Sequence, residues 1–319
     1  MKHTYSQPII AIVGPTAIGK TSISIDVAKR INGEIIGLDS RQIYKGMSIG
    51  TAQPSKKELK LIPHHLIGIK DPNFIISSGE YANLVVNAVS DIIERNKEPI
   101  ICGGAGLYYR AISKGIFTGS KTDLNIRSLL NDQYEKLGAE KLFSKLEEID
   151  PVYSKKVHLN NKKRLIRALE IYMTTGKSPS VHFDSQKKRT TSLLNLFTVL
   201  LTVDKKKLCE KIEKRTNMMI NNGWVEETKK LISNRKKLNF HPIDSIGYKQ
   251  IISFLNGGIS ESELENEIIV KTTQYAKNQI KWFRKEKIDL EINLDMESNS
   301  IVKKIIETFF NVKSAFIKN

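Results

Sequence analysis

Only two cysteines, Cys102 and Cys209, occur in 319 residues. That is too few for a disulfide framework or a four-thiolate metal site. Long apolar runs are also missing. The most apolar stretch, Leu193 to Val203, is interrupted by Asn195, Thr198 and Thr202 and falls short of the ~20 residues that span a bilayer. The opening residues Met1-Lys2-His3-Thr4 show neither the apolar core nor the cleavage pattern of a secretory leader. No internal repeat or low-complexity tract stands out. These absences set the expectation of a reduced, cytoplasmic chain with no membrane association. Carboxylates are scarce as well: 34 Asp and Glu face 51 Lys and Arg, a formal net charge of +17 at pH 7. Such a surplus favours a polyanionic partner through counterion release from phosphates, although a Lys-, Asn- and Ile-rich composition alone also makes a chain basic.

What is present is ordinary globular material, 40% hydrophobic and 27% charged. At this length a single hydrophobic core stops growing, so one large domain or a domain carrying an insertion is expected. Pro8–Val13 is an apolar run of strand length ending in a glycine turn. Ile23, Val27 and Ile31 then recur every four residues, one helix face stopping near Asn32-Gly33. Glu34–Leu38 and Pro99–Cys102 read as further strands. Ser77-Ser78-Gly79-Glu80 reads as a capping box before a helix whose apolar face is Leu84, Val85, Ala88, Val89, Ile92 and Ile93. Strands alternating with helices predict a mostly parallel sheet with helices on both faces, an α/β protein.

Between about Lys121 and Arg189 the apolar residues keep helical spacing: Leu129, Leu130, Tyr134 and Leu137, then Leu142, Phe143 and Leu146, then Leu165, Ile166, Leu169 and Tyr172. Gly176 and Pro179 close the last of these helices. Strand character returns at Leu196–Val203. The remainder is mainly helical, with a long segment from about Ser262 to Lys287 and a last helix on Ile301, Ile305 and Phe309. The expectation is an α/β core in two pieces, 1–120 and 190–319, interrupted by an all-helical insertion at 121–189.

Gly14-Pro15-Thr16-Ala17-Ile18-Gly19-Lys20-Thr21 fits G-x-x-x-x-G-K-[ST]. The glycines let backbone N–H groups converge on phosphate oxygens, and the following helix adds its positive end. Lys20 supplies a mobile charge, and the Thr21 hydroxyl can ligate Mg²⁺. The sheet is therefore expected to be P-loop NTPase-like, and the loop specifies a di- or triphosphate such as ATP without specifying a reaction. A P-loop kinase or ATPase adds an acidic Mg²⁺ ligand at the end of a neighbouring strand, yet Pro99–Cys102 runs into Gly103-Gly104. The acidic candidate is Asp39, at the carboxyl end of Glu34–Leu38, where open α/β sheets place their ligands. Metal ligand, general base and simple turn cap are all open to it. His64-His65 invites a metal reading, but no second cluster has ligand spacing. A structural role at the sheet edge, or substrate contact, fits the pair better. Trp224 is expected in the core.

Beyond the loop, Asp39-Ser40-Arg41-Gln42-Ile43-Tyr44-Lys45-Gly46-Met47, Ile49-Gly50-Thr51-Ala52, Pro63-His64-His65-Leu66 and Gly103-Gly104-Ala105-Gly106-Leu107-Tyr108 follow in order. So do Lys163 to Glu170, Thr175 to Ser180, Lys211-Ile212-Glu213-Lys214-Arg215 with Met219, Gly223 and Glu227, then Ile246-Gly247-Tyr248-Lys249 and Tyr275 to Arg284. In this order the sequence resembles the tRNA dimethylallyltransferases, over nearly the whole chain to about residue 287. The resemblance implies transfer of a dimethylallyl group from dimethylallyl diphosphate to N6 of adenosine 37 beside a tRNA anticodon. It implies that the loop amides, Lys20 and a Thr21-bound Mg²⁺ hold the diphosphate, that Asp39 accepts or orients the amine proton, and that Arg215 clamps the leaving diphosphate. Spacing alone leaves Arg215 open to a solvated helix face.

The acceptor base must leave its stack to reach such a site. Ser40, Arg41 and Gln42 match positions that contact tRNA in the family, and the helical insertion is where the family grips the anticodon stem-loop. Lys162, Lys163, Arg164 and Arg167 suit that role. Lys277, Lys281 and Arg284 recur at four and three residues as a basic helix stripe, with Tyr275 and Trp282 nearby for base stacking or core packing. The sequence departs from the pattern where Ala105 replaces the usual threonine beside the acceptor, and where Thr273, Asn278 and Lys205 stand in place of arginines. The phosphate side is intact. The expected partners are tRNA and dimethylallyl diphosphate, met by a monomer. The competing readings are a P-loop enzyme acting on a free nucleotide and a nucleic-acid-binding NTPase. The absent carboxylate after Pro99–Cys102, the basic insertion and the Asp39–Lys45 run favour the transferase.

Overall fold

The computed structural model describes residues 5–115, 122–187, 193–233, 241–295 and 298–318. Met1–Thr4, Lys121 and Arg189 lie outside the described residues, and with them the opening residues and the expected boundaries of the insertion. The chain divides into two compact units, one of Met1–Ser113 with Ser192–Asn319 and one of Lys114–Thr191.

The first unit is built on β1 (Tyr5–Val13), α1 (Lys20–Ile31), β2 (Gly33–Leu38), α2 (Lys56–Leu61), β3 (His64–His65), α3 (Ser78–Glu94), β4 (Glu98–Gly103) and α4 (Gly106–Lys114). The strands join a six-stranded parallel sheet of order β3-β2-β4-β1-β5-β6, flanked by helices, where β5 is Leu194–Thr202 and β6 is Leu290–Asn293. The inner strands are apolar on both faces. Ile10, Ile12, Ile35, Ile100, Val199 and Leu201 pack with Val27 of α1 and with Ile301, Ile305 and Phe309. The alternate residues Ile9, Ala11, Ile36, Ile101 and Leu200 are also buried. That two-sided burial is why these strands read as continuous apolar runs rather than alternating ones. The remaining helices are numbered from α9 (Lys205–Asn221), α10 (Trp224–Ser233), α11 (Tyr248–Leu255) and α12 (Glu261–Phe283) to α13 (Ser298–Lys318). Strands β3 and β6 were not expected from the sequence. They have two and four residues, too few to show a period.

The second unit contains α5 (Leu124–Ile149), α6 (Pro151–Ser154), α7 (Lys162–Thr175) and α8 (Pro179–Lys187). Its core is Leu130, Leu142, Leu146, Val157, Leu165, Ile166, Ala168 and Leu169. Leu129 and Leu137 are exposed, contrary to the apolar face drawn through them. Gly138 breaks α5 with φ of 82°, so one stripe does not run the length of the segment. Gly176 does cap α7 in the left-handed region. Pro179, however, opens α8 instead of ending a helix, the first-turn position where its missing N–H does no harm.

Candidate active site

The loop after β1 is shaped by backbone conformations that glycine tolerates. Gly14 has φ of 152° and Gly19 φ of 108°, with Ala17 also positive at 65°. A Cβ on Gly14 would meet the Leu201 carbonyl oxygen at 2.8 Å. Gly19 caps α1 without a side-chain hydrogen bond, and the first turn of α1 holds no acidic residue. By contrast, Ser55 with Glu58, Ser77 with Glu80 and Ser260 with Glu263 close capping boxes on α2, α3 and α12. The α1 terminus therefore keeps its positive end unneutralised, the requirement for an anion cradle. The Lys20 ammonium folds back over the loop and donates to the carbonyls of Gly14 (3.0 Å) and Pro15 (2.8 Å). Burial lowers its pKa to about 8; nearby Arg215 also lowers it, while Cys102 and Asp39 oppose the shift.

Asp39 sits where β2 ends. Its Oδ1 accepts the backbone N–H groups of Arg41 (2.7 Å) and Gln42 (3.2 Å), so the turn cap is one of its roles. The Asp39 N–H donates to the Tyr81 hydroxyl at 3.3 Å, which in turn donates to the Gly37 carbonyl at 2.6 Å. Tyr81 is fully buried and stacks on Tyr108 at 4.1 Å. The Asp39 backbone is thus tied to a stacked aromatic pair while its carboxylate is held by the turn that follows, and Asp39 lines a cavity of about 320 Å³. Thr16, Ser40, Arg41, Thr51, Arg215 and Tyr275 share that cavity, with Met219, Trp224 and Ile268 as its apolar wall. Arg215, on α9, donates to the Thr16 hydroxyl at 2.8 Å. Burial lowers its pKa and the Asp39 charge opposes that. It faces the site and is not a solvated helix residue.

Other candidates divide. Gln42 donates to the carbonyls of Thr51 (3.1 Å) and Ala52 (2.8 Å), so its amide holds the opposite rim of the cavity. The Ala105 N–H donates to the Leu38 carbonyl at 3.2 Å, one residue from Asp39. Lys277, Lys281 and Arg284 are exposed on and just beyond α12. Tyr275 reaches the cavity, whereas Trp282 is half-buried against Tyr109 and Phe283. In the helical unit Lys163 and Arg164 are exposed at the start of α7. Lys162 pairs with Glu135 at 2.5 Å and lies over the Tyr134 ring. Arg167 is bound to buried Glu170 at 2.9 Å, which Arg127 also holds at 2.8 Å. Burial alone would raise the Glu170 pKa; the two guanidiniums bring it below its ordinary value.

His64 and His65 form β3 at the sheet edge. His65 Nε2 meets Glu34 at 2.7 Å, near the amino end of β2 and away from Asp39. Two residues absent from the expected site shape it. Glu227 accepts the N–H groups of Ile49 (2.8 Å) and Gly50 (2.9 Å) and the Tyr248 hydroxyl (2.7 Å), fixing the rim loop. Gln279 touches the phosphate loop directly. Both stand within the motifs that carry the resemblance, but no role was expected of either, because their partners lie at long chain separations.

Among the described residues no group of three or more His, Cys, Asp or Glu can hold a metal ion. Thr21 and Asp39 offer hard oxygen donors near the phosphate loop. That set fits a divalent cation that keeps waters and takes its other ligands from substrate phosphates, and it does not fit an all-protein cage. A glycine loop between a central strand and an uncapped helix, backed by a half-buried lysine and arginine, defines a P-loop NTPase-like protein that binds a phosphorylated substrate. An IPP transferase family model matches residues 42–286. The chain is 40% identical over 303 residues to the tRNA dimethylallyltransferase of Syntrophomonas wolfei, covering 94% of this chain and 96% of the relative. It is 39% identical over 296 residues to that of Bacillus subtilis, covering 91% and 93%. It superposes on the tRNA isopentenylpyrophosphate transferase of Bacillus halodurans with a TM-score of 0.72 at 34% identity, over 98% of either chain. For a eukaryotic dimethylallyltransferase acting on tRNA the TM-score is 0.75 at 28% identity, over 90% of this chain and 74% of that one. The chain belongs to the IPP transferase family, and it is a transferase.

Proposed function

We propose that this enzyme transfers the dimethylallyl group of dimethylallyl diphosphate to N6 of adenosine 37 next to a tRNA anticodon. The amine nitrogen attacks the allylic carbon, the carbon–oxygen bond to diphosphate breaks, and the amine proton leaves to Asp39. One observation carries the reading: the Asp39 carboxylate, the Arg215 guanidinium and Thr16 of the phosphate loop face one cavity of about 320 Å³ with an apolar wall. A diphosphate head and a five-carbon tail fit that combination of cationic rim and apolar lining. Lys20 and Arg215 stabilise the charge that grows on the leaving diphosphate. Thr21 would hold Mg²⁺ together with the diphosphate, and the ion when bound neutralises part of that charge.

The flipped adenine enters past Ser40, Arg41 and Ala105, with Tyr275 available to stack on it. Where the family carries a threonine, Ala105 offers no hydroxyl, so acceptor orientation falls to Asp39 and the backbone around it. Lys163, Arg164 and the Lys277, Lys281 and Arg284 stripe meet backbone phosphates of the stem-loop, and Lys162 joins them where RNA phosphate competes with Glu135 for its ammonium. Arg167 serves the Glu170 pair. The enzyme is read as a cytoplasmic monomer; no helix among the described residues is long and apolar enough to cross a membrane.

The test supplies the purified chain with dimethylallyl diphosphate, Mg²⁺ and an unmodified anticodon stem-loop, then digests the RNA for mass analysis. Addition of one dimethylallyl unit to the adenosine is the expected result. Consumption of ATP with no adduct would overturn the reading in favour of an NTPase.

A further inference from the structure

One side chain of helix α12 hydrogen-bonds the phosphate loop directly. The Gln279 amide oxygen accepts the Thr16 N–H at 2.8 Å, and its Nε2 donates to the Gly104 carbonyl at 2.9 Å. The side chain is buried, with 7% of its surface exposed, and Tyr275 is within hydrogen-bonding reach of it one turn earlier. A Cβ on Gly104 would overlap Gln279 Nε2, and one on Gly106 would run into the Trp282 ring at 2.5 Å. Both glycines after β4 are therefore explained by the close approach of α12. At 100° per residue, Gln279 points away from Lys277, Lys281 and Arg284.

We propose that Gln279 is a positioning residue for the transfer reaction, tying the Thr16 peptide of the phosphate loop to the turn that carries Ala105. The proposal rests on the transferase reading above. One amide thereby spans the donor side and the acceptor side of the site. With its N–H engaged by Gln279, Thr16 presents its hydroxyl to Arg215, so the tie also sets where the guanidinium meets the leaving diphosphate. A misplacement of about 1 Å at such a junction costs on the order of 100-fold in rate.

The test uses Gln279→Leu and Gln279→Met, which keep the side-chain volume and remove both hydrogen bonds. Full-length variants are assayed with dimethylallyl diphosphate, Mg²⁺ and an unmodified anticodon stem-loop. The wild-type chain runs alongside, so a wild type that makes no adduct sinks the transferase reading itself. Expected is a kcat at least tenfold lower, a donor KM at least threefold higher and a stem-loop Kd within twofold of wild type. A thermal melt placing both variants well above the assay temperature separates this from loss of folding. In a Thr16→Val background, which already removes the Arg215 contact, Gln279→Leu is expected to lower kcat by less than threefold more. Unchanged kcat, a loss confined to stem-loop affinity, or full multiplication of the two effects would each overturn the proposal. So would failure of both variants to fold, which would make Gln279 a core residue and nothing more.

Discussion

At Lys20 two demands meet on one ammonium group. It must stay charged to hold a diphosphate, yet partial loss of water within the loop brings its pKa to about 8. Below that pH the charged form is ready for an anion, and above it binding must first restore a proton. The donor KM is therefore expected to be flat below about pH 7.5 and to climb above pH 8, by up to about tenfold per pH unit. KM measured from pH 6.5 to 9.5 at saturating stem-loop checks this, and a flat profile would refute it. Asp39 and Arg215 face the same cavity but act on the chemistry. Asp39→Asn should lower kcat by roughly 10²–10⁴ and Arg215→Ala by roughly 10²–10³. Filter binding of the stem-loop should change by no more than about threefold in either. A matching loss of affinity would mean that these side chains grip RNA instead.

At the scale of elements, the edge pair β3–β2 is closed by charge. Hydrogen bonds from Arg95, and then His65 and Lys97, bring the Glu34 carboxyl to about 2 against the resistance of burial. A carboxylate whose folded pKa is depressed contributes stability above its unfolded value and loses it as pH falls. The window here runs from about pH 4.5 down to about 2, and the contribution, after solvent screening, is roughly 1–2 kcal/mol. Wild type should accordingly lose more melting temperature across that window than Glu34→Gln, which has no proton to gain there. The same edge marks the limit of what the sequence discloses. β1, β2, β4 and β5 are legible because burial on two faces writes long apolar runs, and α1 and α3 because one face repeats. β3 is anchored by Glu34 through His65, a contact across 31 positions that no window of periodicity samples. In the site, the loop motif and Asp39 were legible. Gln279 stood within the matched Tyr275–Arg284 run, but its role was not legible, because its partners lie 263 and 175 positions away.

At the scale of the whole molecule, a net charge of +17 is informative only once its cations are sorted by what they already touch. In the helical unit, Arg167 and Arg127 are held by buried Glu170. Removing Arg167 strands part of a buried carboxylate and should cost roughly 1–3 kcal/mol of stability, seen as a lower melting temperature. Lys163 stands exposed on the same helix, so its removal should cost little stability and act on RNA. A cation at a phosphate contact releases counterions, so the logarithm of affinity falls against the logarithm of salt with a slope near 0.7–0.9 per contact. Lys163→Ala should therefore weaken stem-loop binding several-fold near 0.1 M salt and flatten that slope by about one contact, with kcat at saturating stem-loop unchanged. Lys281→Ala should do the same from the α12 stripe, and Arg167→Ala should leave the slope alone. Binding isotherms of the three variants at four salt concentrations, read beside their melting curves, make the comparison. If Arg167→Ala flattens the slope as Lys163→Ala does, the buried pair opens to RNA and the division between structural and nucleic-acid cations in α7 is wrong.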